Sequence, residues 1–166
     1  MSDDKKSLNQ IINFRLEKLN KLKNAGINPY PSTFKPLNTS SEIKSNYPGF
    51  EDKNVKVSGR IMIIRKMGKA SFAQIKDTNG RIQLFITEND IGIDTYALFK
   101  LLDIGDYIGA DGLVFKTKTG EITIKVLQFT ILSKSIRPLP VVKEKDGKLF
   151  DTFSDKEQRY RNRHLD

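Results

Sequence analysis

The chain has 166 residues, 37% of them hydrophobic and 9% aromatic, which suits one modest core with flanking segments. Its 29 Lys and Arg residues against 20 Asp and Glu give a formal charge of +9, which favours polyanionic partners. The absence of cysteine and the single histidine, His164, exclude a disulfide framework, a thiolate zinc site and a histidine-rich metal site. The N-terminus has no long apolar run, so we expect no membrane association and predict a cytoplasmic protein.

The first 54 residues predict a helix followed by a wrapped linker. Residues 7–25 form the helix, since apolar side chains recur at helical spacing: Leu8, Ile12, Leu16, Leu19 and Leu22. Ser7 and Gln10 make a capping box at its start, and Gly26 is a stop signal. Beyond it, Thr39 and Glu42 predict a second, short helix running toward residue 47.

Residues 55–133 predict a small β-barrel. Five candidate strands are rich in Ile, Val, Phe and Thr: 55–65, 70–77, 81–87, 107–117 and 121–132. A short helical stretch at 96–102 separates the third strand from the fourth. This order is that of an OB-fold, a five-stranded barrel often used to bind oligonucleotides. The predicted fold is therefore mainly β, with an OB-fold barrel preceded by an amphipathic helix.

The hairpin from residue 70 to residue 86 predicts which side chains face out of the barrel. Residues 77–80 form its turn, and strict alternation gives an interior face of Ser71, Ala73, Ile75, Ile82, Leu84 and Ile86. The opposite face carries Phe72, Gln74, Arg81, Gln83 and Phe85. Phe72 can stack on a base and Gln83 can hydrogen-bond its edge, a pairing that suits uracil. The alternative that the helix or a loop covers the two phenylalanines stays open.

Cations surround this face in the sequence. Arg60, Arg65, Lys66 and Lys69 form a run without an acidic residue, which predicts phosphate contacts beside the base-binding face. The alternative is a solvated edge strand protected by its charges. A turn over residues 116–121 adds Lys116 and Lys118 as phosphate candidates, and its Glu121 carboxylate could accept an N–H of a base.

The C-terminal segment, residues 134–166, predicts a linker, because Arg137-Pro138-Leu139-Pro140 cannot continue a central strand and the rest has no obvious core. We expect it to lead toward a further domain. One histidine does not build a Ser/His/acid arrangement, so we predict no catalytic residue, no metal ligand and no cofactor for this chain.

Several segments resemble the anticodon-binding domain of class II lysyl-tRNA synthetases, and the resemblance covers almost the whole chain. They are residues 57–62, 65–72, 80–84, 102–106, 115–121, 137–140 and 159–163. The resemblance implies that Phe72 stacks on the central anticodon base, that Gln83 and Arg65 bond its edge, and that Glu121 reads a neighbouring uridine. His164 departs from the family, which usually has tyrosine there.

The resemblance also implies a function for a longer protein. The partner is the anticodon loop of lysine tRNA, and the full-length enzyme is a homodimer that uses ATP and Mg²⁺. Since the catalytic motifs would follow Asp166, we expect this chain alone to be inactive. Three alternatives remain: the anticodon domain of an aspartyl or asparaginyl enzyme, a generic single-strand-binding OB module, and a protein-interaction barrel with incidental charge.

Overall fold

The computed structural model describes residues 7–138, 143–145 and 148–150. Helix α1, Leu8–Asn24, begins with the predicted capping box. The Ser7 hydroxyl accepts from Gln10 N at 3.3 Å, and Gln10 Oε1 accepts from Ser7 N at 2.7 Å. The helix ends before Gly26, whose φ of 74° is readily adopted only without a Cβ. No helix among the described residues is long and apolar enough to cross a membrane.

Two short helices connect α1 to the first strand. Helix α2, Ser40–Ser45, begins with the second predicted capping box, and α3, Tyr47–Phe50, follows it. Ile43 of α2 is buried in the common core. The backbone N and the hydroxyl of Ser40 donate to the Asp77 carboxylate at 2.6 and 2.7 Å. These contacts fix α2 against the turn of the predicted hairpin.

Five strands close into a barrel in the order β1-β2-β3-β5-β4: β1 Asn54–Met67, β2 Ala70–Lys76, β3 Arg81–Thr87, β4 Tyr107–Lys116 and β5 Ile122–Ser133. All neighbours are antiparallel except β3 and β5, whose parallel pairing completes the closure. The predicted OB-type barrel is confirmed. A closed barrel has no free edge. The protection of an edge strand therefore does not explain the cations on β1.

The six side chains predicted to face inward all do so. Ser71, Ala73, Ile75, Ile82, Leu84 and Ile86 each have at most 2% of their surface exposed. The one polar member, Ser71, shares a 2.7 Å hydrogen bond with the hydroxyl of buried Tyr96, so its burial leaves no unpaired hydroxyl. The period-two pattern thus predicted both the register and the faces of this hairpin.

The helical stretch between β3 and β4 was predicted too late in the chain. The structure has two helices there, α4 Glu88–Ile91 and α5 Ile93–Phe99, divided by Gly92 with a φ of 84°. Thr87 caps α4 by accepting from Asp90 N at 3.1 Å. The helix was predicted at 96–102 because apolar residues are concentrated there. In the structure the helix ends at Phe99, and the chain then turns toward β4.

A β-bulge in β1 decides which way its second half faces. Ile61 pairs with Ile75 and is buried, but the register shifts by one residue before Ile63. Beyond the shift Ile63 pairs with Gln74 and Arg65 pairs with Phe72. Strict alternation would have turned Arg65 into the barrel along with Ile61, because both are odd-numbered. The extra residue reverses that parity and places Arg65 outside.

The C-terminal segment contains more structure than the predicted linker. Strands β6, Lys143–Lys145, and β7, Lys148–Phe150, pair as an antiparallel hairpin. His164 and the motif at residues 159–163 lie outside the described residues.

Charged side chains attach α1 to one end of the barrel. Arg15 Nη2 donates to Ile104 O at 2.9 Å, and Lys18 Nζ lies 2.5 Å from Asp103 Oδ1. Lys134, which is buried, binds both Asp103 and Asp106 at 2.8 and 2.9 Å. We call Arg15, Lys18, Asp103, Asp106 and Lys134 the docking cluster.

Candidate nucleic-acid interface

The outer face of β1, β2 and β3 carries side chains in cross-strand rows. The first row runs Arg65, Phe72, Phe85, one residue from each strand. The second runs Ile63, Gln74, Gln83 and continues to Thr123 of β5. Cross-strand partners on one face have Cβ atoms about 5 Å apart, so a ring, a guanidinium and two amides converge on one patch.

These rows form the floor of a cavity of about 400 Å³. The β4–β5 hairpin forms its other wall, and the lining is Ile63, Arg65, Phe72, Ala73, Gln74, Gln83, Thr117, Lys118 and Thr119. Four of the side chains that the sequence predicted for binding are therefore brought together: Arg65, Phe72, Gln83 and Lys118. Five others lie outside the lining: Arg60, Lys66, Lys69, Lys116 and Glu121.

Phe72 is the aromatic side chain of the cavity, and Phe85 supports it. Their ring centroids are 4.8 Å apart with a tilt of 35°, and Phe85 makes an edge contact with Phe115 at 6.2 Å. Both phenylalanines are half-buried, and no residue of α1 lines the cavity. Neither ring is therefore fully covered: Phe72 lines this cavity, and Phe85 lines a neighbouring one together with Phe115.

The amide of Gln83 has a defined orientation. Its Nε2 donates to Thr123 Oγ1 at 3.0 Å, and the Thr123 hydroxyl in turn donates to Glu121 O at 3.2 Å. Because that hydroxyl has given its proton to a carbonyl, it can only accept from Gln83. Oε1 and the second N–H of the Gln83 amide are then available to a ligand in the cavity.

Gln74 is a polar cavity residue to which sequence reasoning gave no individual role. Its Oε1 is buried and has no hydrogen-bond partner among the described residues. A buried acceptor without a donor costs about 1–3 kcal/mol, so such atoms are rare and call for an explanation. The N–H of a ligand lying beside Phe72 would supply the partner. No local sequence signal distinguishes Gln74 from any other outward polar residue, because the deficiency arises only from the assembled surroundings.

Glu121 directly precedes β5 and is not among the residues that line the cavity. Its carboxylate forms an ion pair with Lys44 Nζ of α2 at 3.1 Å, and both side chains are well exposed. Exposed pairs of this kind contribute little stability, so the carboxylate is easily released to another partner. The predicted reading of a base by Glu121 stays a prediction.

Lys66 is held by the protein itself. Its ammonium donates to Lys100 O at 2.6 Å and to Leu102 O at 2.9 Å, the carbonyls that follow α5. Burial, assisted by the positive charge of Lys18, lowers the pKa of Lys66. The bulge in β1 turns Lys66 to the face opposite Arg65, where it satisfies helix-end carbonyls instead of facing the cavity.

The other lysines predicted to contact phosphates differ in the protein contacts that their ammonium groups make. Lys69 Nζ lies 3.6 Å from Glu88 Oε1, while most of its side chain is exposed. The Lys116 ammonium lies over the Tyr47 ring at 5.6 Å. Lys118 projects from the hairpin wall into the cavity. Among the described residues, no group of three or more His, Cys, Asp or Glu side chains could hold a metal ion.

Comparisons with known proteins agree with this geometry. Residues 55–132 match the tRNA anticodon family model, described as an OB-fold nucleic acid binding domain. The lysine–tRNA ligase of Carboxydothermus hydrogenoformans is 49% identical over 96% of the chain and 31% of its own length. That of Porphyromonas gingivalis is 50% identical over 92% of the chain and 28% of its own length. The chain is a homologue of part of the lysine–tRNA ligases.

A third relative, the lysine–tRNA ligase of a Thermoanaerobacter species, is 49% identical over 96% of the chain and 31% of its own length. The chain thus spans just under a third of the ligases it resembles. The predicted OB-fold is confirmed, and the predicted resemblance to lysine–tRNA ligases extends over 92–96% of the chain. The outer-face cavity lies entirely within the matched range.

Proposed function

We propose that this chain binds the anticodon loop of lysine tRNA through the outer-face cavity. The observation that carries the proposal is the composition of that cavity. It joins a ring that can stack, a guanidinium, an amide of fixed direction and an amide oxygen without a partner. Aromatic stacking beside hydrogen-bonding side chains is the means by which proteins recognise unpaired bases.

The orientation of Gln83 supports a preference for uridine. Uracil presents N3–H between two carbonyl oxygens, so it needs an acceptor opposite position 3 and a donor opposite position 4. Cytosine reverses both groups, with an unprotonated N3 and an amino group at position 4. A freely rotating amide could pair with either base. An amide held by Thr123 offers its acceptor and donor in one order only.

The remaining roles that we propose are those that the family resemblance implies. Phe72 stacks on the central anticodon base, and Arg65, its cross-strand partner, bonds the edge of the same base together with Gln83. Lys118 neutralises a phosphate from the hairpin wall. Glu121 reads a neighbouring uridine by exchanging Lys44 for the N–H of a base.

The charging reaction belongs to the longer protein that the relatives exemplify. We propose that such a protein uses lysine, ATP and Mg²⁺, acts in the cytoplasm as a homodimer, and employs this barrel to position the tRNA. The chain alone is then expected to bind tRNA without attaching lysine to it.

The test compares two RNA stem-loops, one with the uridine-rich lysine anticodon and one with cytidines at those positions, by fluorescence anisotropy at fixed salt. Phe72→Ala is expected to weaken uridine-rich binding by about 1–3 kcal/mol, since a stacked base is lost. Gln83→Ala is expected to reduce the preference for uridine over cytidine. Gln128→Ala, an exposed glutamine of β5, is the matched control.

Two results would contradict the proposal. One is equal affinity of the unmutated chain for both loops, which would indicate a general single-strand-binding module. The other is binding by both cavity variants as tight as that of the unmutated chain.

A further inference from the structure

A third cross-strand row lies beside the two that form the cavity. It runs Tyr107 of β4, Arg60 of β1, Lys76 of β2 and Arg81 of β3, each paired in register with the next. Lys76 is two residues from Gln74 and Arg81 is two residues from Gln83, so this row is about 7 Å from the amide row on the same face. We call Arg60, Lys76 and Arg81 the cationic row.

The cationic row is unfavourable for folding. Like charges directly opposite each other on neighbouring strands destabilise a sheet, and here two such pairs occur in sequence. Among the described residues, no carboxylate lies within ion-pair distance of any of the three cations. Lys76 is the last residue of β2 and Arg81 the first of β3, so the row lies at the turn end of this hairpin within a closed barrel and does not protect a free edge.

Asp77 adjoins the row but its carboxylate is already engaged. It accepts from the backbone N and the hydroxyl of Ser40, and from the backbone N of Asn79 and of Gly80. Burial alone would raise the pKa of Asp77, yet these bonds lower it. The carboxylate therefore serves the turn and leaves the cations of the row uncompensated.

The surface over the row has room for a ligand. The lining of a second cavity of about 600 Å³ includes Arg60, Lys76 and Tyr107, and Arg81 lines an adjoining cavity of about 450 Å³. The Arg60 guanidinium lies 4.5 Å from the centroid of the Tyr107 ring, and Arg60 Nη1 donates to Gly105 O at 3.3 Å. Arg60 is thereby held in place, while Lys76 and Arg81 are exposed.

We infer that the cationic row binds the phosphodiester backbone of the RNA whose bases occupy the outer-face cavity. The inference rests on the proposed function and extends it to nucleotides next to those being read. Phosphate contact neutralises the repulsion along the row, which gives three uncompensated cations a function. The backbone then crosses the strands from Arg60 toward Arg81. The sequence alone had predicted phosphate contacts at Arg60, Arg65, Lys66 and Lys69, and it had given no role to Lys76.

The test measures salt-dependent binding of two ligands, the complete anticodon stem-loop and a short oligouridine that covers only the loop bases. Lys76→Gln, Arg81→Gln and the double variant are compared with Lys23→Gln and Lys53→Gln, which remove exposed lysines elsewhere. Each row substitution is expected to reduce the slope of log affinity against log salt by about 0.7 for the stem-loop. Binding of the short oligouridine and the preference for uridine should not change.

Thermal unfolding of each variant confirms that it is folded, and removal of one like-charge neighbour should keep or raise the midpoint. The inference is overturned if the double variant keeps the full salt slope, or if the control lysines reduce it equally. A loss of uridine preference in the row variants would also overturn it, since the row would then belong to the base-reading site. A reduced slope in a chain that shows no uridine preference would support the phosphate contact while contradicting the proposed function.

Discussion

Two regions of this barrel differ in how completely the hydrogen-bonding capacity of their polar side chains is used. In the docking cluster every charged group meets a partner: Lys134 binds Asp103 and Asp106, and Lys18 binds Asp103. In the outer-face cavity the polar groups are only partly engaged. Gln74 Oε1 has no partner among the described residues, and Gln83 uses one N–H of its amide.

The difference separates structure from recognition. A satisfied buried network specifies one arrangement, here the attachment of α1 and of the chain after β5 to the barrel, and it has no capacity left for a ligand. A partly satisfied site keeps hydrogen-bonding capacity that a ligand can complete. The presence of a charge or an amide therefore says less about function than the state of its partners.

The largest expected effect is the loss of the buried cation of the docking cluster. Lys134→Met removes the ammonium but keeps much of the volume, leaving Asp106 buried without its partner. We expect the free energy of unfolding to fall by about 3–5 kcal/mol, measured by urea denaturation. The double variant with Asp106→Asn should regain part of the loss, because it no longer buries an unpaired charge.

RNA affinity measured on the same variant tests whether the docking cluster also contributes to binding. Under conditions where the Lys134→Met variant is folded, its affinity for the uridine-rich loop should equal that of the unmutated chain. A Lys53→Met control should change stability by less than about 0.5 kcal/mol. A loss of affinity in the folded variant would show that the two regions are coupled.

Acid should weaken the docking cluster through Asp103. Burial tends to raise the pKa of this carboxyl, but hydrogen bonds from Lys134 and Lys18 outweigh it, and the pKa lies below the ordinary value of 3.8. A carboxyl whose pKa is lowered by folding stabilises the folded state at pH values above its ordinary pKa. This contribution to stability is lost as the pH falls through the pKa of the folded state. Asp103→Asn should therefore cost about 1–2 kcal/mol at neutral pH and progressively less below pH about 4.

Denaturation at a series of pH values measures how the stability difference between Asp103→Asn and the unmutated chain shrinks as the pH falls. Glu17→Gln, on the exposed side of α1, provides a carboxylate control whose effect should be small throughout. A difference between Asp103→Asn and the unmutated chain that stays constant down to pH about 2 would contradict the assignment.

The sequence was most informative where a short pattern decides the geometry. The β2–β3 hairpin has a clean alternation around the turn at residues 77–80, so its register follows, and Phe72 and Gln83 lie on one face as predicted. Arg65 was different, because its role came from the family resemblance. Simple alternation would have turned it inward, and the bulge that turns it outward leaves no clear signal in the residues themselves.

Contacts between distant segments were beyond a reading of the sequence. Lys66 appeared as one more member of a basic run, yet it binds the carbonyls of Lys100 and Leu102. Gln74 appeared as an ordinary outward residue, yet its carbonyl oxygen is buried without a donor. In both cases the deciding partners, present or absent, are brought together only by closure of the barrel.

Gln74→Leu tests the outer-face cavity. Whereas Lys134→Met in the docking cluster should lower the free energy of unfolding, Gln74→Leu should leave it unchanged or raise it. Leucine removes a buried acceptor that lacks a partner. The free energy of unfolding should therefore stay unchanged or rise by about 1 kcal/mol. Affinity for the uridine-rich loop should decrease by about 1 kcal/mol, because the ligand loses an acceptor. Denaturation and anisotropy on the same sample measure both effects. Clear destabilisation would indicate that the Gln74 amide serves the fold instead.

The smallest expected effect on RNA affinity comes from Thr123→Val, which keeps the shape of a buried side chain. The variant loses the hydroxyl that orients Gln83, so the amide becomes free to present its oxygen or its nitrogen to a base. We expect the affinity for the uridine-rich loop to fall by only about threefold, while the preference for uridine over cytidine falls further, by up to about tenfold. Thr130→Val, a half-buried threonine on the same strand, is the control. Because Thr123 touches no cavity surface itself, a change in base preference in a variant that denaturation shows to be folded isolates its positioning of Gln83. Unchanged preference in the variant would mean that Gln83 is oriented by the bound base and not by the barrel.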